Sequence, residues 1–134
     1  MAWLRILSRE IERSPALTTR IQCLLSLLIM AWVYIFIAGL LEIAWAIGLK
    51  YSDGFTRPLA TVVTVVLMIL SFIFLAQGVR TIPVGTGYAV WTGIGAAGTA
   101  ILGVVLFNEP LTAARIACLA VVIAGIVGLK LVSP

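Results

Sequence analysis

Four long apolar blocks, 31–49, 59–79, 84–107 and 111–132, alternate with brief polar punctuation along the chain. The first block is interrupted by a single acid, and the last carries Arg115 and Lys130 toward its ends. At about 1.5 Å rise per residue, helices of this length reach about 30 Å, the thickness of a bilayer's hydrocarbon core. The pattern predicts an all-α, multi-pass membrane protein with four transmembrane helices. The segments between blocks are 50–58, with Asp53 and Gly54, then 80–83, with Arg80 and Pro83, then Asn108, Glu109 and Pro110. Each puts charge, glycine or proline where a chain turns at a membrane interface. Connections this short make successive helices antiparallel neighbours. No linker, low-complexity stretch or internal repeat interrupts the order.

Composition strengthens this reading. Of 134 residues, 63% are apolar and 10% are charged, against roughly 25% charged in a soluble domain. Mean hydropathy is +1.21. A soluble fold of this length leaves too much of its chain exposed to hide that much apolar surface, so lipid is the expected solvent. The chain has no histidine, and Cys23 and Cys118 lie far apart in apolar surroundings. Neither a metal site, a bound cofactor nor a disulfide framework is indicated. The net charge of +4 does not point to nucleic acid, because no basic stripe is interleaved with stacking aromatics. The bilayer is the expected partner. An enzyme is not expected either, since no nucleophile, base and metal-ligand set lies within the spans.

Residues 1–29 stand apart from the four-helix domain, 30–134. The apolar run begins near Ile21, and 21–49 as one helix would reach about 43 Å, more than a bilayer core requires. A signal peptide fits poorly, because the run is long, lacks a clean small-residue cleavage site and continues to Glu42. An interfacial helix is a second reading, with Trp3, Leu4, Ile6, Leu7 and Ile11 interspersed among Arg and Glu. A start at Met30 is the preferred one. Charge gives the extension a consequence. On the side shared by the start of the first helix, the second connection and the C-terminus, the segment from Met30 has two cations, Arg80 and Lys130. The opposite side has three, Lys50, Arg57 and Arg115. So small a bias does not fix orientation, and both orientations are expected. Arg5, Arg9, Arg13 and Arg20 turn two against three into six against three, which is expected to abolish dual insertion.

The acid inside the first span is the most informative residue. An ionised Glu42 in hydrocarbon costs several kcal/mol, so it must be protonated, paired or facing a wet cavity. On its helical face stand Ala38, Gly39, Trp45 and Ala46, which leave space beside the carboxylate and give it one aromatic wall. Counted from Ala31, Glu42 lies about 16 Å deep; counted from Arg80 on the same side, Ser71 lies about 14 Å, Tyr88 about 12 Å and Trp91 about 16 Å deep. Tyr88 and Trp91 share a face, so hydroxyl and indole donors are expected near Glu42, although ordinary helix packing also accounts for two aromatics. A carboxylate with aromatic faces suits an organic cation.

Glycines mark the remaining helices. Gly93 and Gly95 make the middle of the third helix a candidate hinge. Ala120, Ala124 and Gly128 form a small-xxx-small face on the fourth, a candidate dimer seam, with close packing inside one chain as the plainer reading. Four helices and one acid do not wall a transport route. An antiparallel dual-topology homodimer supplies eight helices and two glutamates, with the inverted-repeat symmetry that alternating access uses. Two carboxylates on one cavity titrate together, and a bound cation displaces protons from them. That competition is the physical basis of antiport.

Three motifs carry a family resemblance: Gly39-Leu40-Leu41-Glu42-Ile43-Ala44-Trp45-Ala46, then Gly48-Leu49-Lys50-Tyr51-Ser52-Asp53-Gly54-Phe55-Thr56-Arg57, and Pro83-Val84-Gly85-Thr86-Gly87-Tyr88-Ala89-Val90-Trp91-Thr92-Gly93-Ile94-Gly95-Ala96. From Met30 to Pro134 the chain resembles the small multidrug resistance family, and within it the guanidinium-exporter subtype. The resemblance implies an antiparallel dual-topology dimer in the bacterial inner membrane that exchanges protons for a cation at paired glutamates. By position, Glu42 is that glutamate, with Ser71, Tyr88 and Trp91 as its hydrogen-bonded surround. Gly39 and Trp45 favour the guanidinium subtype, and Met68, one turn before Ser71, replaces an aromatic residue of some multidrug members. Gly87, where alanine is commoner, and residues 1–29 depart from the pattern. The expected activity is proton-coupled export of guanidinium and small substituted guanidinium ions. Export of quaternary ammonium or other hydrophobic cations, or a non-transporting assembly role, is the alternative.

Overall fold

The computed structural model describes residues 15–132. They form four helices, α1 (Pro15–Tyr51), α2 (Pro58–Gly78), α3 (Val84–Phe107) and α4 (Ala113–Val132), each long and apolar enough to cross a bilayer. The last three match the expected blocks to within two residues. The first does not: α1 begins at Pro15 and runs unbroken through Ala31. The cause is local, since no glycine or proline stands between Pro15 and Gly39 to stop a helix. With 37 residues, α1 reaches about 55 Å, well beyond one hydrocarbon core. Residues Trp3, Leu4, Ile6, Leu7 and Ile11 of the interfacial-helix reading lie outside the described residues.

Each turn is built from its own residues. After α1, Asp53, Gly54 and Phe55 take positive φ, and the buried Ser52 hydroxyl donates back to the Leu49 carbonyl at 2.7 Å. Pro58 opens α2 at a position where its missing N–H costs nothing. Pro83 precedes α3, and Asn108 ends it in the left-handed region, with its N–H turned back to the Gly103 carbonyl.

The core is a seam along α1. Ala31, Ile35, Ala38, Ile82, Val90 and Trp91 are buried together. Small residues bring the axes close: Gly78 of α2 sits on Ile35, and Gly39 of α1 sits on Ile94 of α3. By contrast, α4 has no buried residue and meets the rest of the chain mainly through α3. Its C-terminal end is tied to α1 by Lys130, whose ammonium lies 3.2 Å from the centre of the Trp32 ring.

Candidate functional site

One turn beyond Ala38 on α1, three helices converge on one carboxylate. Glu42 is half-buried on α1, and its Oε2 accepts a hydrogen bond of 2.6 Å from the indole nitrogen of Trp45, one turn further on. The sequence reading gave Trp45 an aromatic wall's role; the helix also makes it a donor. Ser71, fully buried on α2, places its hydroxyl 3.5 Å from the same oxygen. Both contacts fall on Oε2, and Oε1 has none among the described residues.

Ser71 is the junction of the site. Its hydroxyl accepts from the Trp91 indole of α3 at 3.0 Å and lies 2.8 Å from the Ala38 carbonyl of α1. A hydroxyl has one proton to give, so with Trp91 donating in, the serine donates to the closer acceptor, Ala38. The serine thereby fixes α1, α2 and α3 at the depth of Glu42. The depths counted from sequence put Tyr88 at this level as well as Glu42, Ser71 and Trp91.

Tyr88 is placed differently. Its ring meets Trp91 edge-on, with centroids 5.2 Å apart, and it is 56% exposed, without a hydrogen bond to Glu42 within the chain. Phe72 flanks Trp91 from α2 at 5.7 Å. Met68 is half-buried on α2. Gly39 is buried against Ile94, a packing contact rather than an open wall.

The glycines of α3 have a use the sequence did not show. A Cβ on Gly95 would collide with the Glu42 side chain, so α3 passes the carboxylate at a position that tolerates no side chain. Gly93 meets Ile126 of α4 in the same close manner. The helix is continuous through both residues. On α4, Ala120 and Ala124 are exposed, and a Cβ on Gly128 would meet nothing within 4 Å.

A second polar cluster lies at the α3–α4 turn. In the turn between α3 and α4, Glu109 pairs with Arg115 at 2.6 Å and with Lys50 of α1 at 3.4 Å. The Arg115 guanidinium, with Lys50 second, holds the Glu109 carboxyl below the usual carboxylate range. It is ionised throughout the neutral range. Sequence spacing could not show this, because the three residues sit on different helices or across a turn.

A four-span membrane protein with a buried-facing carboxylate on a tryptophan and serine frame is the class the fold and site define. The family described as Small Multidrug Resistance protein matches residues 30–122, and the chain belongs to that family. Among curated relatives, a guanidinium exporter of Yersinia pestis is 57% identical over 104 residues, covering 78% of this chain and all of the relative. Guanidinium exporters of Citrobacter freundii and Escherichia coli (strain K12) are each 54% identical over 102 residues, covering 76% of this chain and 97% of each relative. The relatives are named for export, not for catalysis.

Proposed function

We propose that the four-helix segment 30–134 exports guanidinium and small substituted guanidinium ions in exchange for protons, as an antiparallel dual-topology homodimer in the bacterial inner membrane. The observation that carries this reading is Glu42, an ionisable group inside the first candidate span with one oxygen held by Trp45 and the other left for a guest. Similarity to relatives named guanidinium exporters supports the substrate class. A planar guanidinium offers paired N–H donors to a carboxylate, whereas a quaternary ammonium has none and relies on charge and aromatic faces. The hydrogen-bonding frame of Trp45, Ser71 and Trp91 favours the former.

Glu42 takes either a proton or the cation, and the exclusion of one by the other couples their movements. Ser71 and Trp91 hold the helices that present it. Tyr88, exposed beside Trp91, and the empty small-residue face of α4 support completion of the site by a second copy. Liposomes holding the purified protein test the reading. With a pH gradient, guanidinium flux is expected and tetraalkylammonium flux is expected to be weak; the reverse order overturns the substrate. Glu42→Gln is expected to stay folded and lose proton-coupled flux, and full retained exchange would refute the mechanism.

A further inference from the structure

Along the face of α1 that carries Glu42, Ala46 lies one turn and Lys50 two turns toward the 50–58 connection. There a cleft of about 320 Å³ opens between α1, α3 and the start of α4. Its inner wall includes Ala46, Ala96 and Thr99, and its rim is Lys50, Phe107, Glu109 and Arg115. At Ala46 the cleft ends one helical turn from Glu42 on the same face of α1. At roughly 30 Å³ per water in the liquid, the cleft has room for several waters or a small hydrated ion.

The rim contacts differ in kind. Arg115 closes the α3–α4 turn on itself: it bonds Glu109 Oε2 at 2.6 Å and also reaches the Pro110 carbonyl at 3.4 Å and the Ala100 carbonyl at 3.5 Å. Gly103 provides the seat, because a Cβ there would lie 2.7 Å from Glu109 Oε2. Glu109 is thus held by its own hairpin. Lys50 instead crosses from α1, reaching Glu109 Oε1 at a long 3.4 Å, with its side chain 54% exposed and its ammonium 3.9 Å from the Phe107 ring centre. One contact is anchored; the other is free to part.

We propose that Lys50 and Glu109 form a releasable latch over an aqueous access route to Glu42, with Arg115 and Gly103 as positioning residues that hold Glu109 for it. The inference rests on the reading of Glu42 as the transport site. Closed, the lysine ammonium stands across the mouth and repels an entering cation. Open, it leaves Oε1 of Glu109 facing the route.

Thiol labelling tests the latch without measuring transport. In protein carrying Cys23→Ser and Cys118→Ser, Ala46→Cys is exposed to a positively charged, membrane-impermeant thiol reagent in nanodiscs, where both faces are accessible. Adding Lys50→Gln is expected to speed labelling roughly two- to fivefold, the range over which one exposed ion pair can shift an open-to-closed ratio. Lys50→Arg is expected to keep the slow rate, and Glu109→Gln, which parts the pair but leaves Lys50 and Arg115 positive at the mouth, to speed it less than Lys50→Gln. Size-exclusion profiles confirm that each variant is folded. Equal rates for Lys50→Gln and the unsubstituted lysine overturn the latch, as does absence of labelling in every variant, the result for a lipid-filled cleft. Failure of guanidinium flux in liposomes would leave these rates untouched, so the two readings fail separately.

Discussion

Glycine at position 95 decides where the Glu42 carboxylate can sit. The close approach of α3 leaves no room for a Cβ there, while Gly85, near the start of the same helix, has open space around it. Gly95→Ala is therefore expected to push Glu42 off Trp45 and Ser71 and to weaken guanidinium binding by about tenfold or more, consistent with overpacking costs of about 1–3 kcal/mol. Gly85→Ala is the control and should bind as the unsubstituted protein does. Equilibrium binding to purified protein compares them, and equal affinities would show that room at position 95 does not place the carboxylate. At this scale the sequence was informative where depth alone mattered: counting turns put Glu42, Ser71 and Trp91 at one level. Rotation about each helix axis was hidden from it. Within one chain Tyr88 lies against Trp91, and Gly95 lies against Glu42, contacts that depend on rotation and not on depth.

Elements differ in how clearly they were written. Three helices had ends marked by Pro58, Gly78, Pro83, Asn108 and Pro110, all of which act locally on the backbone. The start of α1 had no such mark at Ala31, and the helix continued to Pro15. The unusual element is α4, which has no fully buried residue although it is as apolar as its neighbours and packs only Ile126 and Leu129 against the core. A helix left so bare in lipid, with Ala120, Ala124 and Gly128 aligned every four residues, has a surface suited to close approach by another helix. Gly128→Leu separates the two uses of that face. Among the described residues nothing lies within 4 Å of an added Cβ, so a side chain can start there in open space, and a retained helical spectrum checks that the monomer is still folded. Dimer affinity is expected to fall by about tenfold or more if the face is the seam, about 1.4 kcal/mol. Subunit exchange between differently labelled proteins in liposomes measures it, and an unchanged dimer would move the seam elsewhere.

For the whole molecule, the chain's charge distribution sets which way it crosses the membrane. The four described spans put Arg80 and Lys130 on one side and Lys50, Arg57 and Arg115 on the other, a difference too small to choose an orientation. The continuous α1 carries Arg20 about 16 Å outward from Ala31, on the side of Arg80 and Lys130. With Arg5, Arg9 and Arg13 preceding it in sequence, the balance becomes six against three. An antiparallel dimer needs copies in both orientations, so the extension and the dimer act against each other. Fusing either alkaline phosphatase or a fluorescent reporter to the C-terminus reads the outcome, because each is active on one side of the membrane only. The segment 30–134 is expected to give both signals, in roughly equal measure for so small a bias, whereas residues 1–134 are expected to give the fluorescent signal alone. Replacing Arg5, Arg9, Arg13 and Arg20 with glutamine should restore the second signal if charge is the cause. If it stays absent, the length of α1 rather than its arginines fixes the orientation.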